Sequence, residues 1–389
     1  MKKKFLALTL LSPFIGVAHA QGTVTLYGLI DEGFEAISNA PAQGSNASGS
    51  QYRLDATNGL NSSRWGLKGS EDLGGGLKAV FQLENGFELN NGKLGQGGAE
   101  FGRQAFVGLS SNRFGTVTLG RQYDSVVDFV GGLEFGDSNV GTAHSAHPAD
   151  LDNFNNSRRT NNAVKFRSID YGGLSFGGLY SFGGVAGSVS RNQVYSLGVG
   201  YKNGAVALGA AYLNVRNPAA SLFGSNPSDT ATSNGLTGSP VLSGYASANS
   251  YEVLGVGGSY AIGPAVFGAT WSNVRFTNIA AINNGAATFN DAEVSLQYHV
   301  SPRLLAGVAY NYLHGSAVTD RIGGSNYNQF AAGVNYSLSA RTDLYAAVDY
   351  QTANGHDSTG RGAVANLSGV SPSSNRYQTV GRLGMRHRF

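Results

Sequence analysis

The chain ends in a segment whose residues alternate strictly between apolar and cationic types. Three apolar residues fall on one face of a strand and three arginines on the other: Leu383, Met385 and Phe389 against Arg382, Arg386 and Arg388. This alternation gives one oily and one strongly basic face, because successive side chains of a strand point to opposite sides. A soluble sandwich rarely hides three arginines, whereas a membrane barrel turns its apolar face to lipid and its charges to a wet lumen. The segment therefore predicts a transmembrane β-barrel strand.

The first twenty residues have the features of a secretory signal peptide. Lys2, Lys3 and Lys4 precede an apolar stretch at 5–17, and Ala18-His19-Ala20 supplies a cleavage pattern of small residues. We expect residues 1–20 to be removed and residues 21–389 to form one barrel domain. The alternative is a membrane anchor helix, but the apolar run is short for a span and contains Ser12-Pro13.

Charge and composition narrow the class of protein further. The chain has 27 basic and 24 acidic residues. Loss of three lysines with the signal leaves 24 of each, so overall charge suggests no nucleic-acid partner. The absence of cysteine excludes disulfides and thiol chemistry. With 57 glycines and 39 tyrosines plus phenylalanines, the composition favours strands and turns over helices.

Alternation recurs along most of the chain and predicts sixteen strands. Their expected ranges are 23–37, 61–72, 77–89, 103–111, 115–121, 160–170, 174–182, 192–202, 205–215, 250–262, 264–276, 288–300, 303–314, 326–338, 341–351 and 377–389. Connections after even-numbered strands are short and contain turn residues, as in Asp72-Leu73-Gly74-Gly75-Gly76. Those after odd-numbered strands include the long segments 38–60, 122–159, 216–249 and 352–376. Short turns at one rim and long loops at the other are typical of an outer-membrane barrel, and an even strand count lets it close.

The loop at 122–159 differs from the other long loops. It combines five apolar side chains with six acids: Phe129, Leu133, Phe135, Leu151 and Phe154, with Asp124, Asp128, Glu134, Asp137, Asp150 and Asp152. Apolar anchors and acidic points suit a loop that folds inward against the barrel wall. A long solvated external loop is the alternative interpretation.

The order of several motifs resembles the general, non-specific porins of Gram-negative outer membranes, especially those of beta-proteobacteria. The stretches that carry the resemblance span the mature chain: Val24-Thr25-Leu26-Tyr27-Gly28, Ser63 to Ala79 with its Glu71-Asp72-Leu73-Gly74 turn, Phe101 to Leu109, Gly115 to Arg121, Asn161 to Val164, and the terminal Phe389. The resemblance implies an all-β, 16-stranded antiparallel transmembrane barrel with short periplasmic turns and an inward-folded third loop. It also implies a homotrimer in the outer membrane, in contact with lipid and lipopolysaccharide.

The resemblance further implies a pore constriction in which basic and acidic groups face each other. Its arginines would be Arg64, Arg103 and Arg159, with Lys68 on the same wall. Its loop acids would be Glu134 and Asp137, together with Asp128 and Asp124. Strand alternation independently turns Arg64, Lys68 and Arg103 toward the lumen. Phe389 resembles the signal read by the outer-membrane assembly machinery.

These features together predict a water-filled channel for passive diffusion of ions and small hydrophilic solutes. A channel specific for one solute, such as a sugar or an organic acid, is the alternative. An adhesin or assembly barrel would need a plug or periplasmic domain, and no composition break indicates one. No enzymatic motif stands out, since Gly92-Lys93 is followed by Leu94 and forms no phosphate-binding loop. We expect no cofactor and no metal, and interpret His144 and His147 as solvated loop residues rather than ligands.

Overall fold

The computed structural model describes residues 22–42, 48–224 and 236–389. The predicted signal peptide lies outside these residues. Seventeen strands, β1 to β17, follow one another: Thr23–Pro41, Ser48–Asp55, Arg64–Gly74, Leu77–Gly86, Gln104–Ser111, Gly115–Gln122, Thr160–Arg167, Leu174–Ser181, Val194–Asn203, Val206–Arg216, Ala248–Ile262, Ala265–Ile279, Gly285–Ser301, Leu304–Gly315, Asn326–Ser337, Thr342–Asn354 and Tyr377–Arg388. One short α-helix, α1, spans Ser125–Phe129. Single 3-10 turns lie at Gln96–Gly98, Gly131–Leu133, Phe135–Asp137, Ala143–Ser145, Pro148–Asp150, Ser243–Tyr245 and Ala280–Ile282.

Sixteen strands form a closed antiparallel barrel. Neighbours in sequence pair from β3 to β17, and β1 closes the ring by pairing with β3 on one side and β17 on the other. Every strand predicted from the sequence is present, and the predicted fold class is confirmed. Among the described residues no helix is long and apolar enough to cross a membrane.

The seventeenth strand, β2, corrects one expectation, because it lies inside the predicted loop 38–60. It pairs with β1 from Gly33 to Pro41, which is beyond the part of β1 that pairs with β3. Tyr52 and Leu54 are exposed on one face, while Arg53 forms an ion pair with Glu35 inside the barrel. This short alternation was present in the sequence but was hidden by the Gly, Ser and Asn residues before it.

The two faces of the wall differ as the terminal segment predicts. Leu383 is 64% exposed on the outside, whereas Arg382 is 2% exposed on the inside. An exposed apolar outer face is what a lipid bilayer requires, since each outward charge near mid-membrane would cost roughly 2–4 kcal/mol. Tight turns such as those at 75–76 and 203–205 lie at one rim, and the long connections lie at the other.

The third long loop, residues 123–159, folds into the barrel, as the sequence predicts. Its apolar side chains lie against glycines of the inner wall. Phe129 contacts the positions of Gly198 and Gly200, Phe154 that of Gly255, and Phe135 that of Gly307, where a Cβ atom would come within 2.3 to 3.2 Å of the ring. Part of the high glycine content therefore provides a trough that receives the loop.

Candidate pore constriction

Three arginines from separate segments line one narrow cavity inside the barrel. Arg64 is the first residue of β3, Arg103 directly precedes β5, and Arg159 directly precedes β7. Together with Asp137 of the inward loop they border a cavity of about 270 Å3. The structure thus brings together three predicted basic residues and one predicted acid.

Glu84 on β4 holds this arginine cluster in place, and sequence reasoning missed it. Its Oε1 accepts from Arg103 Nε at 2.7 Å, and its Oε2 lies 3.9 Å from Arg64 Nε. The Tyr27 hydroxyl donates to Oε2 at 2.8 Å. Tyr123 bridges the cluster, because it accepts from Arg103 at 3.3 Å and its ring lies 5.7 Å from the Arg159 guanidinium. Period-two alternation turned Glu84 inward, but only the register of β3, β4 and β5 brings it to the arginines.

Asp137 stands at the end of a short 3-10 turn and is exposed to the lumen. Desolvation by the surrounding protein raises the pKa of Asp137 to about 6, and Arg64 and Arg103 act in the opposite direction. Because its side chain remains open to lumen water, we treat it as ionised at neutral pH. Three guanidinium groups then face two carboxylates, Asp137 and Glu84, which leaves one net positive charge.

Three other predicted residues lie away from this cavity. Lys68 lies four residues along β3, with its ammonium 5.1 Å from the centre of the Tyr27 ring. Asp124 is the N-cap of α1, where it accepts from the backbone amide of Val126 at 2.9 Å. Asp128 forms an ion pair with Lys165 on β7. Both acids therefore hold the loop in place. The sequence pattern alone could not distinguish this role from a position facing the channel.

Comparison with known proteins places the barrel in a family. A family model described as Gram-negative porin matches residues 7–356. An outer membrane porin protein of Bordetella pertussis is 34% identical over 372 residues, which covers 90% of this chain and 94% of the relative. The chain belongs to the Gram-negative porin family. This porin therefore lies in the Gram-negative outer membrane and forms a channel for passive diffusion, as the sequence predicts.

Two further comparisons agree on the fold. Outer membrane porin protein 32 of Delftia acidovorans is 29% identical over 414 aligned positions that cover both chains completely. The solved anion-selective porin from Comamonas acidovorans matches with a TM-score of 0.71 and 23% identity, covering 95% of this chain and all of the other. At that identity the structural match shows a shared fold.

The predicted acid Glu134 lies in a buried cluster behind the porin's inward loop. The cluster centres on His147, which has no exposed surface and whose Nδ1 is 2.7 Å from Asp152 Oδ2. Glu134 accepts from the His147 backbone amide at 2.7 Å. From the barrel wall, Asp291 lies 3.6 Å from Nδ1 and Glu293 3.9 Å from Nε2. The interpretation of His147 as a solvated residue is therefore wrong, because the glycine trough brings this part of the loop against two wall carboxylates.

The titratable groups of this cluster differ in the direction in which their pKa values are shifted. Burial alone would lower the pKa of His147, but Asp291, Asp152 and Glu134 raise it well above its ordinary value. Burial raises the pKa of Glu134 well above its usual range. Burial also opposes ionisation of Asp152, yet the neighbouring imidazolium lowers the pKa of this carboxyl. The arrangement describes an imidazolium held by carboxylates from both loop and wall.

His144 fixes a second point of the loop, and it too is fully buried. Its Nε2 lies 2.8 Å from Glu35 of β1, and its Nδ1 lies 2.6 Å from the Ser368 carbonyl oxygen. Glu35 also accepts from Arg53 at 2.8 Å and from Arg382 at 2.5 Å. The loop is thus tied to β1 and β17 by charge, and the solvated interpretation of His144 is also wrong.

Proposed function

We propose that Arg64, Arg103, Arg159 and Asp137 form the narrowest part of the channel and give it a preference for small anions. The observation that carries this proposal is the cavity that these four side chains share, with its three arginines against Asp137 and Glu84. Opposed charges across a narrow lumen create a transverse field that orders water and sorts solutes by charge. The basic excess of this field favours anions.

The size of the effect follows from electrostatics. Two unit charges about 8 Å apart interact by roughly 2 kcal/mol at an effective dielectric of 20. Lumen water and salt weaken this interaction, so we expect a change of several fold in permeability ratio at low ionic strength. The preference should shrink in about 1 M salt, where the screening length is about 3 Å.

The test replaces the three arginines together by glutamine and measures the zero-current potential of single channels in a potassium chloride gradient. We expect R64Q/R103Q/R159Q to shift selectivity toward cations by about threefold or more, because each change removes a lumen charge. D137N should shift it toward anions. R64Q/R159Q keeps the pair of Arg103 and Glu84 intact and should show a smaller shift in the same direction.

The matched control is R275Q/R321Q/R361Q, which removes three arginines that are exposed in the structure and lie outside the cavity. It should leave the zero-current potential nearly unchanged. If R64Q/R103Q/R159Q and R64Q/R159Q both leave the potential unmoved at low salt, the arginines at 64, 103 and 159 do not line the narrowest part of the channel.

We also propose that the channel works as a homotrimer inserted by the outer-membrane assembly machinery, which would read Phe389. The exposed outer faces of β1 and β2 support an intersubunit or lipid contact, since Phe34 and Tyr52 stack there with ring centres 6.1 Å apart. Among related folds, a protein of Vibrio cholerae has been solved in a trimer form. Lipid and lipopolysaccharide would cover the remaining apolar surface.

A further inference from the structure

A second polar cavity lies at the rim with short turns, on the opposite side of the barrel from β5 and β6. Its volume is about 530 Å3, and it is bordered by the turns that join β13 to β14 and β15 to β16 and by the end of β17. Four of its side chains can carry positive charge: His299, Arg303, Arg386 and Arg388. Because the short turns of this family lie on the periplasmic side, the cavity opens toward the periplasm.

One carboxylate, Asp343, partly neutralises this cavity, and its hydrogen-bonding capacity is already used. It accepts from Arg386 Nε at 2.9 Å and Nη2 at 2.8 Å, from Arg388 Nη1 at 2.9 Å, and from Ser337 Oγ at 3.2 Å. Three guanidinium groups against one carboxylate leave two positive charges with His299 neutral. Within the described ranges, Arg303 has no carboxylate at ion-pair distance and is exposed at the cavity rim.

We propose that this cavity is a second anion-binding site, at the periplasmic mouth, for small solutes that carry carboxylate or phosphate groups. The proposal rests on the anion preference proposed for the constriction and extends it to the exit of the channel. The planar guanidinium fork binds such groups through paired hydrogen bonds, which a single ammonium group cannot do. A cavity of a few hundred Å3 also suits a small organic ligand.

Arg386 connects this site to the constriction. Its Nη1 donates to Asn61 Oδ1 at 2.6 Å, and Asn61 also borders the cavity of the three arginines. Its Nη2 donates to Asn139 Oδ1 of the inward loop at 3.3 Å, and Asn139 borders the periplasmic cavity. Arg386 itself is buried, so the guanidinium groups that an anion can reach at this mouth are those of Arg388 and Arg303.

The test measures block of single-channel chloride current by citrate, added to one side of an oriented bilayer at a time. In the full-length porin we expect half-block at about threefold lower citrate from the periplasmic side, since two extra guanidinium groups stand at that mouth. R303Q/R388Q should remove this difference between the two sides. R303Q alone, which breaks no ion pair among described residues, should reduce it by about half.

Arg113 provides the control, because it lies on the short turn between β5 and β6 at the same rim and outside the cavity. R113Q should keep the difference between sides. Equal block from both sides in the unmodified porin would overturn the proposal, as would an unchanged difference in R303Q/R388Q. A loss of similar size in R113Q would also overturn it, because diffuse rim charge would then account for the block. The zero-current potential tests the constriction separately, so either proposal can fail alone.

Discussion

At the scale of single residues, the closing seam of the barrel depends on a glycine beneath the last residue of the chain. Phe389 and Gly28 exchange two backbone hydrogen bonds, of 3.1 and 3.0 Å. A Cβ atom at Gly28 would lie 2.5 Å from Cζ of Phe389 and 2.7 Å from the carbonyl oxygen of Arg64. The backbone of β3 cannot give way like a flexible side chain, so the absence of a side chain at Gly28 lets three strands meet.

We predict that G28A destabilises the folded barrel by about 1–3 kcal/mol, the usual effect of overpacking a close contact. The measurement is urea unfolding in detergent, followed by the fraction of heat-modifiable barrel. The matched control is G381A on β17, where an added Cβ meets nothing within 4 Å. Equal stability of G28A and G381A would show that the Phe389 ring and the backbone of β3 can shift without a loss of stability.

The residues of the constriction show what the alternation of side chains along a strand can predict and what it cannot. Alternation turned Arg64 to the lumen, because a period of two requires only the local sequence. For Arg103 it chose the wrong outer face of β5, since Val107 and Leu109 are the exposed residues there, and Arg103 reaches the lumen because it precedes the strand. Alternation could not identify Glu84 as the partner of these arginines, since Glu84 is opposite Gly66 on β3 and Gln104 on β5. Pairings between strands are fixed by the whole ladder, and a single strand pattern does not contain them.

At the scale of elements, the inward loop is held by shape and by charge. The five apolar residues named from the sequence indicated that the loop would fold inward, but their receiving surface was a row of glycines that carry no pattern of their own. The two histidines looked like ordinary loop residues, because the loop sequence does not show which wall residues will lie beside them. Their carboxylate partners Glu35, Asp291 and Glu293 belong to distant strands.

The pH dependence of the His147 attachment has a definite sign. A raised pKa of His147 adds stability that is complete below about 6.5, the pKa of free imidazole, and disappears as pH rises through the raised value. The raised pKa of Glu134 likewise makes the attachment less stable as pH rises. The lowered pKa of Asp152 adds stability above about 3.9 that is lost only in stronger acid. The attachment should therefore be firmest in weak acid and loosen at alkaline pH.

We predict that closures and open-channel current noise increase as pH rises from about 6 to about 10. H147Q should show frequent closures throughout and lose this pH dependence, because removal of one partner from a buried charge cluster costs roughly 3–5 kcal/mol. H314Q is the control, since His314 is exposed at the end of β14, where its Nδ1 lies 2.7 Å from Asn326 Oδ1. A pH dependence that persists in H147Q would place the sensitive group elsewhere.

At the scale of the whole molecule, a chain with balanced mature charge separates its charges within one lumen. Arginines gather near β3, β5 and β7, whereas the wall beneath the inward loop carries four buried acids: Glu35, Asp291, Glu293 and Asp349. The loop covers these acids and supplies histidines and hydroxyl groups to them, as Ser145 does for Asp349 at 2.6 Å. The loop thus determines both the width of the lumen and which wall charges face water.

We therefore predict that excision of residues 132–153 leaves a folded barrel with a wider channel and a shift toward cations. The ladder between strands does not use the loop. The cut ends are close, because a Cβ atom at Gly131 would lie 2.4 Å from the Phe154 carbonyl oxygen, so a short Gly-Ser linker can join them. Removal exposes Asp291, Glu293 and Asp349 to water, where they ionise freely and oppose the arginines, whereas Glu35 keeps its ion pairs with Arg53 and Arg382.

Single-channel conductance should rise several fold, and the zero-current potential should move in the cation direction at low salt, where the screening length is about 10 Å at 0.1 M. Excision of residues 183–191, an external connection between β8 and β9, is the control and should change neither quantity. An unchanged conductance after removal of 132–153 would mean that the loop does not limit flow. A rise in conductance with a shift toward anions would mean that the loss of Asp137 outweighs the uncovered acids and that the arginine wall sets the field of the open barrel.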